Sequence, residues 1–472
     1  MKQTIYSVLL VALAMTAPSL TSCEKAFDDV QDGNVDYFGR SKTFVEEING
    51  QPYWFIPESD GSLNVLVTWN RINCNSIADY VRMTSKYTGD VEVPSTVTHN
   101  GVTYNVTGAD DNAFYHCNNI TKLVLKEGMT HWGEHTWFYS PYRNVMTKVT
   151  DIYLPTTMTD MKSVPSYYFM NNTALASCHI PNVTEIGDSA FFGCTKLTTL
   201  NLPETVSATE GIYIPASVSR IGNQAFAGCN SRAYLTVDDG NAVYTSRDDN
   251  GTECNVIMEK ATKKLLLACK NSTIPADVTS YDGFAFSGVY TTKNTSLEIP
   301  AQVASIAPGA FASCTGLRYL TVAADNAVYD SRGNCNAVIE TASNKLVVGC
   351  NYTVIPADVT AIGDFAFYGF SMSAMTIPEG VEAIGERAFS NCTSLKTMTL
   401  PATLKTLGDY CFYNAGKLTT LYVNAATPPV IKNSNVFSTT SKCTLYVPAG
   451  SKEAYTNHSV WGLFSSIVEM EE

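Results

Sequence analysis

One phrase recurs down this chain: Ile-Pro, a valine two or three residues past the proline, then Ile-Gly, Ala-Phe and a cysteine. Its clearest copies are IPNVTEIGDSAFFGC from Ile180, IPASVSRIGNQAFAGC from Ile214 and IPEGVEAIGERAFSNC from Ile377. A repeat of roughly 20–50 residues is the mark of a stack, because such a unit is too small to bury its own apolar face and must lean on its neighbours. That excludes folding around a single centre. It predicts a long exposed surface, which suits binding better than chemistry.

The aromatic of the phrase sets the register, at Phe114, Trp137, Phe169, Phe191, Phe226, Phe286, Phe311, Phe367, Phe389 and Phe412. The uninterrupted unit is 22–25 residues, and the stretches Phe226 to Phe286 and Phe311 to Phe367 contain insertions. Alternating apolar positions, such as Leu197, Leu200 and Leu202 or Leu395, Met398 and Leu400, suit strands with one buried face. Pro203 and Pro401 lack an N–H and end such ladders. Gly187 and Gly385 are expected to permit a tight turn, and Asp188 and Asp364 to cap the short helical turn after it.

The two insertions, near residues 239–274 and 325–354, are copies of each other and read as hairpins. With turns centred on Ala261-Thr262 and Ala342-Ser343, Glu259 faces Lys264 and Glu340 faces Lys345. The same register sets Cys254 opposite Cys269 and Cys335 opposite Cys350, making these two pairs candidate disulfides in an exported protein. Residues 37–105 read as an N-terminal β-rich cap, with Asn100-Gly101 a hairpin turn. Residues 106–423 form the stack. Residues 424–472 form a C-terminal cap, with a last strand, a helix capped at Ser451, and Trp461 and Phe464 packing on the final coil.

These residues resemble the BspA-type leucine-rich repeats of bacterial surface proteins, over about residues 90–450. The resemblance implies a β-rich leucine-rich repeat solenoid, a right-handed horseshoe or rod of parallel strands with short helical turns. It also implies a surface role in adhesion. The coils around Phe169, Phe286 and Phe367 depart from the pattern by lacking a cysteine three residues on.

The first 22 residues read as a signal peptide, with Lys2 before the apolar run Ile5 to Ala17. Leu20-Thr21-Ser22-Cys23 resembles a bacterial lipobox, which implies lipid attachment at Cys23; an ordinary signal peptide is the other reading. Acyl chains add roughly 0.8 kcal/mol of membrane affinity per buried methylene. Residues 23–36 read as a flexible tether. The expected location is the bacterial outer membrane, at the cell surface, with the membrane touched only through the lipid. A formal charge of −13 argues against a nucleic-acid partner, which requires a clustered basic face.

Few residues suggest chemistry. His131-Trp-Gly-Glu134-His135 matches a zinc-peptidase pattern that requires a helix with both histidines on one face. Yet EGMTHWGEHTW from Glu127 aligns without gaps on the repeat segment EGVEAIGERAF from Glu379, so an ordinary coil turn is the better reading. Cys117, Cys194, Cys229, Cys314 and Cys392 each lie three residues past their Phe and read as a column of buried thiols. Asp248-Asp249-Asn250-Gly251 reads as a polar turn, lacking calcium-loop spacing. No catalytic residue, cofactor or metal is expected.

What remains is the strand face between the buried leucines: Thr198, Thr199 and Asn201; Arg318, Tyr319 and Thr321; Lys396, Thr397 and Thr399; Thr419, Thr420 and Tyr422. Stacked coils align these as a polar ladder, either a plain soluble face, since threonine suits strands, or a ligand-binding one. The function this favours is a non-enzymatic, surface-anchored binding protein for an extracellular macromolecule, a host matrix or cell-surface protein. The alternative is a glycan-binding accessory lipoprotein of a nutrient-uptake system, with Tyr53-Trp54 as the aromatic pair on which sugars stack.

Overall fold

A computed structural model describes residues 43–59, 61–68, 87–110, 113, 114, 117, 119–133, 148–201, 210–289, 295–431, 434–438 and 440–471. The signal peptide, the tether, Cys23, Glu134, His135 and Trp137 lie outside the described residues. Packing divides the chain into two units, one of the described residues up to 162 with 179–182, the other of 163–178 with 183 onward.

In the first unit, Phe44–Ile48, Gln51–Pro57 and Asn64–Thr68 pair antiparallel in sequence order. Val102–Ala109 then lies parallel to Asn64–Thr68 and forms a hairpin with Thr96–His99. Asn100 and Gly101 both take positive φ, the geometry a two-residue hairpin turn demands. Thr88–Val93, Asn119–Leu125 and Asp151–Tyr153 build a separate parallel ladder with Val91, Leu123 and Ile152 buried in register. This ladder thus begins at Thr88, inside the stretch that the sequence assigned to a cap.

In the second unit each coil contributes strands to two parallel ladders and a turn that carries the Phe. One ladder uses the alternating apolar segments: Thr397–Leu400 on Thr420–Val423, then Thr444–Val447, then Ser466–Glu469. The other uses the residues before Ile-Gly: Ala361–Ile362, Ala383–Ile384, Thr406–Leu407 and Val430–Ile431. Between them the rings stack face to face. Phe191 lies 5.4 Å from Phe226, Phe286 4.6 Å from Phe311, Phe367 5.0 Å from Phe389, and Phe389 5.5 Å from Phe412. Phe437 adds one more ring at 5.5 Å from Phe412. The sequence pattern missed it because no Ile-Gly-x-x-Ala precedes it; only its 25-residue distance from Phe412 marks it.

The glycine of the phrase serves stacking rather than turning. Neither Gly222 nor Gly385 has positive φ, but a Cβ on either would fall inside the backbone of the preceding coil, at Asp188 and Asp364 respectively. The aspartates likewise act between coils instead of capping their own turn. Asp188 accepts the Asn223 N–H at 2.9 Å, and Asp364 accepts that of Glu386 at 2.7 Å.

Both insertions are hairpins that join the second ladder as extra rungs. Lys264–Ala268 pairs parallel with Ser280–Tyr281, and Lys345–Val348 with Ala361–Ile362. Glu340 faces Lys345 as expected. Each hairpin is tied down by one asparagine. Asn241 donates to the carbonyls of Pro215 and Val218 and accepts from Val243 and Tyr244. Asn326 repeats this with Pro300, Val303, Val328 and Tyr329.

At the C-terminus the last strand, Ser466–Glu469, comes after the helix Lys452–Thr456 rather than before it. Ser451 makes no side-chain cap; Glu469 accepts the Lys452 N–H at 3.2 Å instead, placing a carboxylate at the positive end of that turn. Trp461 is fully buried against Phe437 and donates to the Pro429 carbonyl at 3.0 Å.

Candidate functional site

The predicted face is brought together coil by coil only where strands are consecutive. In the C-terminal ladder Thr397 pairs with Thr420 and Thr420 with Thr444. Two residues along, Thr399 pairs with Tyr422 and Tyr422 with Tyr446, and the two tyrosine rings stack at 4.7 Å. The result is a row of hydroxyls beside a tyrosine pair. Lys396 and Thr419 sit exposed at its edge.

The other two sets lie in separate sheets. Thr199 pairs with Ser177 and Gly211, while Thr198 is half-buried and donates to the Ala176 carbonyl. Asn201 does not belong to the face. It is buried with left-handed backbone, which turns its side chain away from the strand alternation. Arg318, Tyr319 and Thr321 are exposed, and Tyr319 and Thr321 pair with Ser296 and Glu298.

The four hairpin cysteines are free thiols. A bulge between Ile257 and Met258, and its copy between Val338 and Ile339, shifts the pairing by one residue before the cysteines are reached. Cys269 consequently donates toward Asn255 and Cys350 toward Asn336, and the expected Cys254–Cys269 and Cys335–Cys350 bridges do not form. The column of thiols after each Phe is present and has a specific partner. Cys194, Cys229, Cys314 and Cys392 each donate to the carbonyl of the preceding coil's Phe, at 3.0–3.1 Å. Burial pushes the thiols of Cys229 and Cys392 up to about 12, so they stay protonated and unreactive.

Two features were not foreseen from the sequence. Arg232 occupies the position of a buried leucine, three residues past Cys229, and is 1% exposed. It donates to the carbonyls of Ala268, Cys229 and Ser287, joining the first hairpin to the coils on either side. The missing leucine in CNSRAYLTV was the available signal. Second, the residue two before Phe169, Phe191, Phe226, Phe286, Phe311, Phe367, Phe389 and Phe412 takes left-handed backbone, even when it is Phe284, Phe365, Arg387 or Tyr410. Such geometry costs an ordinary residue about 1–2 kcal/mol. Contacts offset it: Phe284 packs 5.6 Å from Phe365, and Arg387 lies 4.8 Å over Tyr410.

The aromatic pair proposed for sugar stacking is not available. Tyr53 is 2% and Trp54 5% exposed, packed on Tyr87, with the Tyr53 hydroxyl accepting from the Glu92 N–H. His131 lies on a two-residue strand, not a helix, and meets Asp160 at 2.9 Å. An open cleft of about 420 Å³ lies by the first hairpin, next to Asp239, Asp249 and Lys263. Two of its cations are already paired: Arg247 with Asp239 and Glu253, and Lys263 with Asp249 and Asp277. Asp248 accepts from the N–H groups of Asn250 and Thr252, as a polar turn does. Among the described carboxylates with a displaced pKa, none moves upward. Hydrogen bonding from Tyr213 and the Gly240 N–H lowers Asp238, and the Arg332 guanidinium lowers Asp330.

Six copies of the BspA type leucine-rich repeat region match this chain, over residues 92–164, 162–211, 207–247, 257–335 and 346–457. The chain belongs to the BspA-type leucine-rich repeat family. That family assignment carries no enzymatic one. Among solved structures, a leucine-rich cell surface protein from Faecalibacterium prausnitzii is similar at 18% identity, covering 91% of this chain and 95% of that one, with a TM-score of 0.38. The pneumococcal vaccine antigen PcpA matches at 14% identity, 91% and 99% coverage and a TM-score of 0.41. A leucine-rich repeat protein from Bacteroides ovatus matches at 18%, with 86% and 98% coverage and a TM-score of 0.35. No curated protein matches the chain in sequence.

Proposed function

We propose that this BspA-type chain is a non-enzymatic binding protein, lipid-anchored at Cys23 to the outer membrane of a bacterium, whose repeat surface engages an extracellular protein. The observation that carries the reading is the C-terminal ladder, where Thr397, Thr420 and Thr444 line up beside stacked Tyr422 and Tyr446. A face that only needed solubility has no use for two adjacent half-buried tyrosines; tyrosine supplies amphipathic contact area at interfaces. The Leu20-Thr21-Ser22-Cys23 sequence supports the anchor. The glycan-accessory reading is weakened by the burial of Tyr53 and Trp54.

The test is binding of the purified chain from residue 24 onward to immobilised matrix proteins, mucins and whole cells. Saturable binding weakened by Tyr422→Ala together with Tyr446→Ala is expected. A chain that binds none of these surfaces removes the reading, and selective binding on a glycan array moves it to carbohydrate. Labelling Cys23 with a radioactive fatty acid in cells tests the anchor separately.

A further inference from the structure

The second hairpin carries a surface patch that the first lacks, although the two share their pairing, bulge and anchorage. Cys350 donates to the Arg318 carbonyl as Cys269 does to that of Ala233, which sets Arg318 in the place of Ala233. Thr353 bonds Cys350 and Asn336 as Ser272 bonds Cys269 and Asn255, so Tyr352 and Val354 stand where the first hairpin has Asn271 and Thr273. Three small or polar positions have thus become arginine, tyrosine and valine. Tyr352 is 54% exposed, Val354 73% and neighbouring Tyr319 60%. Thr353 and Ile355 are buried, so Tyr352 and Val354 point outward together.

Arg318 is the deciding residue. Its guanidinium lies 5.7 Å over the Tyr352 ring. Among the described residues, Arg220, Arg247, Arg332 and Arg387 each reach a carboxylate, and Arg232 reaches carbonyls. Among those same residues Arg318 is the arginine whose side chain has no acceptor. The chain is strongly acidic overall, so an unpaired cation poised over a ring is a prepared site for a carboxylate, which guanidinium binds through two parallel hydrogen bonds.

We propose that Arg318, Tyr319, Tyr352 and Val354 form the docking site for a protein segment that presents an acidic side chain flanked by apolar ones. The bonds that the neighbouring amides already make favour protein over carbohydrate. Asn351 holds the Thr315 carbonyl and the Ser371 N–H, and Asn336 reaches the Tyr352 carbonyl, so these amides are spent on the backbone. A sugar requires several convergent polar groups; this patch offers one charge amid apolar surface. Tyrosine and arginine are also the residues that dominate protein interfaces. The proposal rests on the binding function above.

The first hairpin supplies a variant that the fold already accommodates: Arg318→Ala with Tyr352→Asn and Val354→Thr. Random twelve-residue peptides displayed on phage are selected against the full chain from residue 24 onward, and recovered peptides are synthesised. Recovered peptides are expected to carry Asp or Glu beside aromatic or aliphatic residues. They bind the triple variant at least about 30-fold more weakly and Arg318→Ala about 10-fold more weakly, while circular dichroism of the variants is unchanged. Peptides without an acidic residue, or binding indifferent to the triple variant, overturn the proposal. So does triple-variant-sensitive binding of uronic acids on a glycan array, or a dimer in sedimentation that the variant dissolves, which make the occupant a sugar or a second copy. If the triple variant binds matrix proteins or cells as well as the parent does, this site fails while the binding function stands.

Discussion

The stack is specified at positions where one atom decides whether coils close. Gly385→Ala pushes a methyl into the backbone at Asp364, and about 2 kcal/mol or more of stability is expected to be lost in urea unfolding. Gly416→Ala, with open space around the position and no positive φ, is expected to be neutral or slightly stabilising. The sequence located Gly385 but misjudged its reason, because a requirement imposed by the neighbouring coil leaves the same letter as one imposed by the local turn. Asp188 and Asp364 were misread in the same way. The buried thiols give a second prediction at this scale: Cys194, Cys229, Cys314 and Cys392 do not react with a thiol reagent near pH 8 until the chain is unfolded. Rapid labelling of the folded chain at these four sites contradicts the stack of thiols and carbonyls.

At the scale of elements, the asparagines that seat the hairpins outweigh the hairpins' own charges. Asn326→Ala strands two carbonyls and two N–H groups, and a loss of roughly 2–4 kcal/mol is expected by denaturant titration. The second hairpin also carries an acid sensitivity. Arg332 bonds Asp330 and Asp358, and its guanidinium, chiefly by donating hydrogen bonds to the carboxylate, holds Asp330 below the usual aspartate value. A carboxylate depressed in the folded state contributes fully above its unfolded value and loses that contribution as pH falls through its folded one. Melting temperature therefore drops below about pH 4, and the gap between parent and Arg332→Ala narrows there. A gap independent of pH excludes the pairing as its cause. The hairpins were legible as duplicated apolar runs, and Glu340 opposite Lys345 could be placed from the turn position. The bulges were not, since nothing in Ile257-Met258 or Val338-Ile339 announces an extra residue, and that single slip invalidated the disulfide register.

For the molecule as a whole, the repeated Phe and the packing of Trp461 and Phe464 on the final coil were legible, whereas Phe437, the ring they pack on, was not. Phe437, Trp461 and Phe464 end the second unit with packed rings, so Trp461→Ala is expected to cost about 3–5 kcal/mol and to expose dye-binding apolar surface before global unfolding. An unchanged melt excludes this role. Arg232 left only a missing leucine as its signal, and the left-handed positions of Phe284 and Phe365 left none, because they answer contacts with coils distant in sequence.

The two inserted hairpins differ in one respect that the ladder ignores. From Tyr244 to Cys254 the chain advances ten residues, and from the equivalent Tyr329 to Cys335 six, yet both lead into the same bulge and the same asparagine anchorage. Length has already been varied there without disturbing the strands beyond it. The turn at Asp248–Gly251 is accordingly a port: a foreign epitope spliced into it should be displayed while the parent melting curve is retained.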